Sequence, residues 1–172
     1  MQSGYIVTFI GDDRPGLVEA LSAAIGNNGG NWQESRLSQL GGKFAGLILV
    51  TLPDDKGEAL EADLRALAAT GLSVRVTSCE AQAARTAGRT IELTVVGPDR
   101  PGIVKEISHA LAERQFNVLE MESNVSSAPM SAEPLFQANI VASIAEDAQI
   151  ESLHDSLDEI ANSMTLDIDV DW

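Results

Sequence analysis

The spacing of apolar residues switches between a strand-like and a helix-like period along the chain. The same order of periods occurs in both halves. Runs rich in β-branched residues at positions 6–10 and 91–96 predict strands, and each run ends at a glycine. Apolar positions at helical spacing follow both runs and extend to about Asn28 and Arg114. Each half then continues with two extended segments, a second helical pattern and a final alternating strand. These segments are residues 31–40, 44–52, 60–67 and 72–79 in the first half and residues 117–125, 136–144, 150–160 and 166–170 in the second.

The two halves are copies of one unit. When each residue is aligned with the one 86 positions later, nine of the positions from 11 to 31 are identical. The other apolar positions change conservatively, as from Leu17 to Ile103. A βαββαβ order with two helices on one face of a sheet is the ferredoxin-like arrangement. We therefore predict an α+β chain of two ferredoxin-like domains in tandem, at residues 1–82 and 89–172, with a linker at about residues 83–88.

Each copy carries the pentad Asp-Arg-Pro-Gly plus an aliphatic residue between its first strand and its first helix. Pro15 suits the first helical position, where its missing N–H costs nothing. The carboxylate of Asp13 can accept hydrogen bonds from the free N–H groups of the helix. Arg14 precedes proline and is therefore expected outside the helix, while Gly16 allows close approach to the backbone. The same residues in the second copy are Asp99, Arg100, Pro101 and Gly102.

The same geometry can also receive an anion. A strand that ends in glycine, a turn and a helix N-terminus leave backbone N–H groups that could hold a carboxylate. Asp13 or Asp99 could then bind the ammonium group of the same ligand. A zwitterionic amino acid fits this arrangement better than a phosphate, because the aspartate repels a dianion. The residues alone leave two interpretations open, a helix-start signal and a ligand site.

The doubled pentad is followed about 15 residues later, in each copy, by an asparagine at the start of the second strand. This pattern resembles the ACT domain, a small-molecule sensor that commonly binds amino acids. With two copies in one chain and the stretch GGNWQESRLSQLGGKFAGLILV, nearly the whole chain resembles the glycine cleavage system transcriptional repressor group. The resemblance implies a ligand site between the first loop and helix of one domain and the second strand of a neighbour. The ligand-binding residues that it implies are Asp13, Arg14, Gly16, Leu17, Asn31, Asp99, Arg100, Gly102, Ile103 and Asn117.

Charge and composition exclude several classes of partner. The formal net charge is −15, from 11 Lys and Arg against 26 Asp and Glu, so direct binding to DNA, to RNA or to an anionic membrane surface is disfavoured. Aromatic residues make up 4% of the chain, which argues against an RNA-recognition sheet. No apolar run approaches the ~20 residues of a membrane span. Cys79 is the only cysteine, and we expect it to be a small buried apolar residue in a reduced, cytoplasmic chain.

These observations favour a non-enzymatic regulatory protein. We expect it to bind a small molecule, such as the amino acid glycine or serine, and to need no cofactor and no metal. If it regulates the transcription of glycine cleavage genes, we expect it to act through a protein partner, a transcriptional activator, without contacting DNA. Because ligand sites of this type often lie on interfaces, we also expect a homodimer. Two alternatives stay open: a small acylphosphatase-like enzyme in which Arg14 holds phosphate, and a protein-interaction module without a ligand.

Overall fold

The computed structural model describes residues 2–79, 89–145 and 148–172. The chain divides into two compact units, Met1–Ala84 and Arg85–Trp172. Within the described residues, each unit has one four-stranded sheet and two α-helices. The predicted linker at residues 83–88 lies outside the described residues, and the predicted domain boundaries stay predictions.

The first unit follows the predicted βαββαβ order. Its second helix is flanked by short 3-10 segments at Asp54–Lys56 and Leu67–Thr70. Its elements are β1 Gln2–Asp12, α1 Leu17–Asn27, β2 Asn31–Leu40, β3 Lys43–Pro53, α2 Gly57–Ala66 and β4 Ser73–Cys79.

The second unit repeats this order with a longer hairpin. Its second strand extends to Ser127, two residues beyond the predicted end, so the connection to the third strand is shorter than the sequence suggested. Its elements are β5 Thr90–Pro98, α3 Ile103–Glu113, β6 Phe116–Ser127, β7 Pro134–Ile144, α4 Ile150–Met164 and β8 Asp167–Asp171.

Both sheets have the same topology. The strand order is β2-β3-β1-β4 in the first unit and β6-β7-β5-β8 in the second. In this order the first strand of each unit lies inside the sheet. Every pair of neighbouring strands is antiparallel. This confirms the predicted fold class, an α+β chain of two ferredoxin-like βαββαβ domains.

The core of each unit lies between the helices and one face of the sheet. Because side chains alternate along a strand, every second strand residue points toward the helices and its neighbours point to the opposite, open face. Full burial of a leucine or isoleucine side chain stabilises the folded state by about 1.5–3 kcal/mol. The helices contribute several such buried side chains at helical spacing. In the first unit the buried set includes Val7, Phe9, Leu17, Leu21, Ile25, Ile48, Val50, Leu52, Leu60 and Leu64. In the second it includes Leu93, Val95, Ile103, Ile107, Leu111, Phe136, Ile140, Leu153 and Leu157.

Candidate functional site

The Asp-Arg-Pro-Gly loop sets the start of the first helix in each unit. Gly16 directly precedes α1 and has φ 89° and ψ 0°, the left-handed conformation that favours glycine. The helix therefore begins at Leu17, and the prediction that Pro15 takes the first helical position is wrong. Gly102 plays the same part with φ 100°, so α3 begins at Ile103, two residues after Pro101.

These two glycines are required by backbone conformation. Nothing lies within 4 Å of the place where a Cβ on Gly16 would stand, and at Gly102 the nearest atom is Met164 Cε at 3.9 Å. No described residue uses the close approach to the backbone that these glycines allow. The space in front of each glycine is open to solvent or to a ligand.

The loop aspartates do not cap their helices. Among the described residues, no side chain makes a capping hydrogen bond to α1 or α3, so this prediction is wrong for Asp13 and Asp99. The capping position belongs to the residue directly before the helix, and glycine occupies it in both units. The aspartates are instead held by their backbones: Asp13 N donates to Gly42 O at 3.0 Å and Asp99 N to Pro134 O at 2.9 Å. Both side chains are left exposed.

The first turn of each helix keeps free backbone donors. The first intrahelical bond is Ala20 N to Gly16 O, at 2.9 Å, so the N–H groups of the three preceding helix residues have no acceptor within α1. These groups form the positive end of the helix dipole. The side chain of Leu17 is buried in the core with 4% exposure, so only its backbone can face a ligand. Ile103, with 2% exposure, is placed in the same way in the second unit.

The two loop arginines have different surroundings. Arg14 Nη2 donates to the carbonyl oxygen of Thr70 at 3.0 Å, which ties the loop to the end of the 3-10 segment after α2. Arg100 makes no hydrogen bond to any residue that the structure describes. Arg14 therefore holds the loop in place, and the two copies differ at this position.

A shallow pocket of about 350 Å³ opens beside the loop of the first unit. Four of the predicted site residues line it: Asp13, Arg14, Gly16 and Leu17. The others are Val18, Glu19 and Phe44. Phe44 was not predicted as a site residue. Phe44 on β3 pairs with Gly11 on β1, and the centroid of its ring lies 5.6 Å from the centroid of the Phe9 ring. No local sequence signal places Phe44 at the site, because it reaches the end of β1 only through the pairing of β3 with β1.

Asn31 and the pentad loop lie at opposite ends of the same sheet. Asn31 pairs with Thr51 on β3, and Thr51 pairs with Gly4 on β1. Gly4 is eight residues before Asp12, the last residue of β1, and at about 3.4 Å per residue this separation is about 27 Å. Asn31 and Asp13 of one unit therefore cannot contact the same small ligand.

The second unit separates its site residues in the same way. Asn117 pairs with Ser143, which pairs with Thr90 at the start of β5, and the pentad loop follows the far end of that strand. The structure thus brings together the loop residues of each copy and leaves the asparagine of the same copy apart.

A local ion pair stands at the end of β1. Lys43 Nζ donates to the carboxylate of Asp12, and this bond and the lysine charge hold the pKa of Asp12 below its ordinary value. The second unit has Pro98 where the first has Asp12, so this pair is specific to the first loop.

Other candidate chemistry is limited. Cys79 is half-buried and therefore less buried than predicted; it is the last residue of the edge strand β4. Across residues 2–79, 89–145 and 148–172, no three His, Cys, Asp or Glu side chains are grouped so that they could hold a metal ion. No helix in this part of the chain is long and apolar enough to cross a membrane.

Comparison with known families agrees with this architecture. A model of the ACT domain matches residues 5–77, and another ACT domain model matches residues 91–151. The chain belongs to the ACT domain family. Each match lies within one of the two units, so the tandem arrangement expected from the repeated pentad is confirmed. Comparison with curated protein sequences gives no significant match.

Two solved structures resemble nearly the whole tandem ACT chain. One, described as an unknown protein from Galdieria sulphuraria, is 27% identical, with 99% of this chain and 98% of that chain covered and a TM-score of 0.88. The other is named provisionally as a glycine cleavage system transcriptional repressor; it is 19% identical, with 99% and 97% covered and a TM-score of 0.73. At that identity the second likeness shows a shared fold and confirms the structural resemblance to this group.

Proposed function

We propose that this tandem ACT protein is a non-enzymatic regulator that binds a free amino acid at its pentad loops. The family supports a regulatory, ligand-sensing role. One observation carries the proposal of an amino acid: in each unit an exposed, uncapping aspartate stands beside a helix N-terminus with free N–H groups. The positive end of the helix dipole suits the carboxylate of a ligand, and the adjacent aspartate suits its ammonium group. Such a pair of groups therefore fits a zwitterion better than a simple anion.

The ligand would be held by complementary groups. Its carboxylate would accept hydrogen bonds from the backbone N–H groups of Val18 and Glu19, and its ammonium group would pair with Asp13. The space in front of Gly16 is open, and Phe44 gives the pocket an apolar wall. Glycine and serine are the first ligands to test, since their small side chains make few demands on a shallow pocket.

Asn31 and Asn117 lie far from the loop of their own unit. We keep both in the proposed site as residues that a partner chain of the proposed homodimer would bring to a pentad loop.

The proposed output is transcriptional and indirect. A protein of the same fold is named provisionally as a glycine cleavage system transcriptional repressor, and we extend that role to this chain as a proposal. With a net charge of −15, contact with DNA is disfavoured, so the signal would pass to a transcriptional activator protein in the cytoplasm. An acylphosphatase-like activity is less well supported, because Arg14 already bonds to Thr70 and the adjacent aspartate repels phosphate.

A ligand screen tests this proposal. Thermal shift measurements over the common amino acids, followed by calorimetry, should give hits led by glycine or serine. A ligand at 100 times its Kd stabilises the folded state by about 2.7 kcal/mol, which such a screen detects. Binding should weaken in Asp13→Asn and Asp99→Asn, while Asp55→Asn, an exposed aspartate away from the loop, should bind as the wild type does. Absence of binding by every amino acid would contradict the proposal.

The asparagines provide a second, independent test. Asn31→Ala and Asn117→Ala should each weaken binding if the site is completed by another unit. Normal binding by both variants would show that the asparagines do not belong to the site, even if the loop aspartates do.

A further inference from the structure

The open face of the second sheet, opposite to α3 and α4, is strongly acidic. Ile168 and Val170 of β8 pack against the core, so the aspartates that alternate with them point to the open face. The paired residues of β5 and β6 have the same orientation as these aspartates. The face carries six carboxylates: Glu92, Glu120, Glu122, Asp167, Asp169 and Asp171.

The four strands β5, β6, β7 and β8 contain no lysine, arginine or histidine. Glu92 and Asp171 are direct cross-strand neighbours, an arrangement of like charges that destabilises a sheet. No described residue forms an ion pair with Glu122, Asp169 or Asp171. The second unit thus tolerates an unfavourable charge arrangement on an exposed surface.

The fold itself does not require this acidity. In the first unit the same face carries Ile6 and Ile10 on the central strand, where the second has Glu92 and Val96. On β3, Leu49 pairs with Ile6, and Leu47 pairs with Thr8, which lies between the two isoleucines on this face. The two copies therefore share a backbone and differ in the chemistry of the open face, which indicates a role specific to the second unit.

Five of the acidic groups form two walls on the edge strands, and the sixth, Glu92, lies on the floor between them. Glu120 and Glu122 lie on the edge strand β6, and the aspartates lie on the opposite edge strand β8. Between them the floor is fixed by hydrogen bonds: Thr94 Oγ1 donates to Asn139 Oδ1 at 3.1 Å, and Asn139 Nδ2 donates to Glu92 Oε1 at 2.7 Å. A depression of about 460 Å³ opens on this floor.

The width of this face fits an α-helix. The two edge strands are three strand spacings apart, which is about 14 Å, and an α-helix with its side chains is about 10–12 Å across. A helix lying along the strands would place its basic side chains against both walls. Its apolar residues would cover Val96 and Val141, which are the half-buried apolar side chains of the floor.

We propose that this acidic face is the docking surface for a cationic amphipathic helix of a protein partner. The proposal rests on the function proposed above, in which the signal passes to a protein, and it assigns that contact to the second sheet. Charge complementarity would speed association and select basic partners.

A synthetic helix tests the docking surface directly. The probe is an 18-residue amphipathic peptide of leucine and lysine, and the matched control peptide has glutamate in place of lysine. In NMR spectra of the full chain, the backbone amide chemical shifts of β5, β6, β7 and β8 should change on addition of the lysine peptide. The glutamate peptide should leave them unchanged. The triple variant Glu122→Gln, Asp169→Asn, Asp171→Asn should bind it at least about tenfold more weakly, as expected for the loss of close charge pairs.

A second triple variant controls for net charge. Glu58→Gln, Asp155→Asn and Glu159→Gln remove three exposed carboxylates from helices, and this variant should lose less than about threefold in peptide affinity, since distant exposed charges are screened. Equal losses in both triple variants, or shifts confined to the helices, would overturn the proposal. So would a change of oligomeric state in the first triple variant without a loss of peptide binding, because the occupant would then be a second copy of the chain.

The two proposals can fail separately. Amino acid binding by the first triple variant should equal that of the wild type, since the pentad loops are untouched. A wild-type chain that binds no amino acid but shows the peptide contacts on the second sheet would contradict the proposed sensor and support the docking surface.

Discussion

Asn28 joins the two helices of the first unit through a hydrogen bond from its side-chain nitrogen to Asp63 Oδ2, at 2.7 Å. The same nitrogen donates to the carbonyl oxygen of Ala24 at 2.9 Å, so it also satisfies the end of α1. Asn28 is the one buried polar side chain among the described residues, with 8% exposure. A polar group in this position stabilises the fold only because both bonds are made.

Asn28→Ala should destabilise the first unit. The change leaves the Ala24 carbonyl without this donor, whereas the exposed Asp63 carboxylate can turn to water. An unsatisfied buried acceptor costs about 1–3 kcal/mol. The two tryptophans make the measurement specific, since Trp32 packs against the first core and Trp172 belongs to the second unit. In a Trp172→Phe background, denaturation followed by Trp32 fluorescence should shift, while the exposed neighbour Asn27→Ala should stay close to the parent. Equal effects of the two alanine variants would contradict this account.

Arg114 occupies the equivalent position of the second unit and performs the same task with different chemistry. Its Nε donates to Ser152 O at 2.9 Å and to Ser152 Oγ at 3.0 Å, and Nη1 donates to Ala110 O at 3.0 Å. The guanidinium thus connects the end of α3 to α4, with its side chain only 15% exposed.

Arg114→Lys should therefore behave as a disruptive change. A single ammonium group cannot reproduce the fork of donors, and unsatisfied acceptors cost about 1–3 kcal/mol. Trp172 fluorescence in a Trp32→Phe background reports the second unit. Arg100→Lys, at a loop arginine without a bond to the described residues, provides the control. Full stability of Arg114→Lys would show that charge alone suffices at this position.

Much of the fold could be predicted from the sequence because it depends on local signals. The hydrophobic period gave β2 at residues 31–40, which agrees with Asn31–Leu40. The predicted start of α1 at Pro15 was two residues too early, because the helix begins at Leu17. The path of the loop sets the left-handed conformation of Gly16, and the preference of Pro15 for a first helical turn does not decide it.

The candidate site depended on contacts between distant residues. The loop residues could be grouped from their spacing, since they are consecutive. Phe44 joins them only through the pairing of β3 with β1, and the separation of Asn31 from Asp13 follows from strand order. The polar link between Asn28 and Asp63 was equally hidden, because it depends on how two helices pack.

Gly16→Ala should damage both the fold and the proposed site. A side chain in the left-handed region costs about 1–2 kcal/mol, and a change that relaxes this strain would move the helix start and its free N–H groups. Gly26→Ala is the matched control, because Gly26 lies within α1 with open space around its Cβ position. It should leave stability unchanged or raise it by up to about 1 kcal/mol. Thermal unfolding and amino acid calorimetry on both variants would check this, and a neutral Gly16→Ala would contradict the assigned role of the backbone.

The Asp12–Lys43 pair predicts a pH dependence that is confined to the first loop. The hydrogen bond from Lys43 and its charge lower the pKa of Asp12 in the folded state. The folded form is therefore favoured by this pair above the pKa of an unfolded aspartate, and this contribution is lost as the pH falls through the lowered pKa. Lys43→Met should raise the pKa of Asp12 toward its ordinary value, which carboxyl-detected NMR titration would measure. Lys105→Met, a lysine of α3 in the other unit, should leave the titration of Asp12 unchanged. An unshifted titration of Asp12 in Lys43→Met would show that the ion pair is not formed in solution.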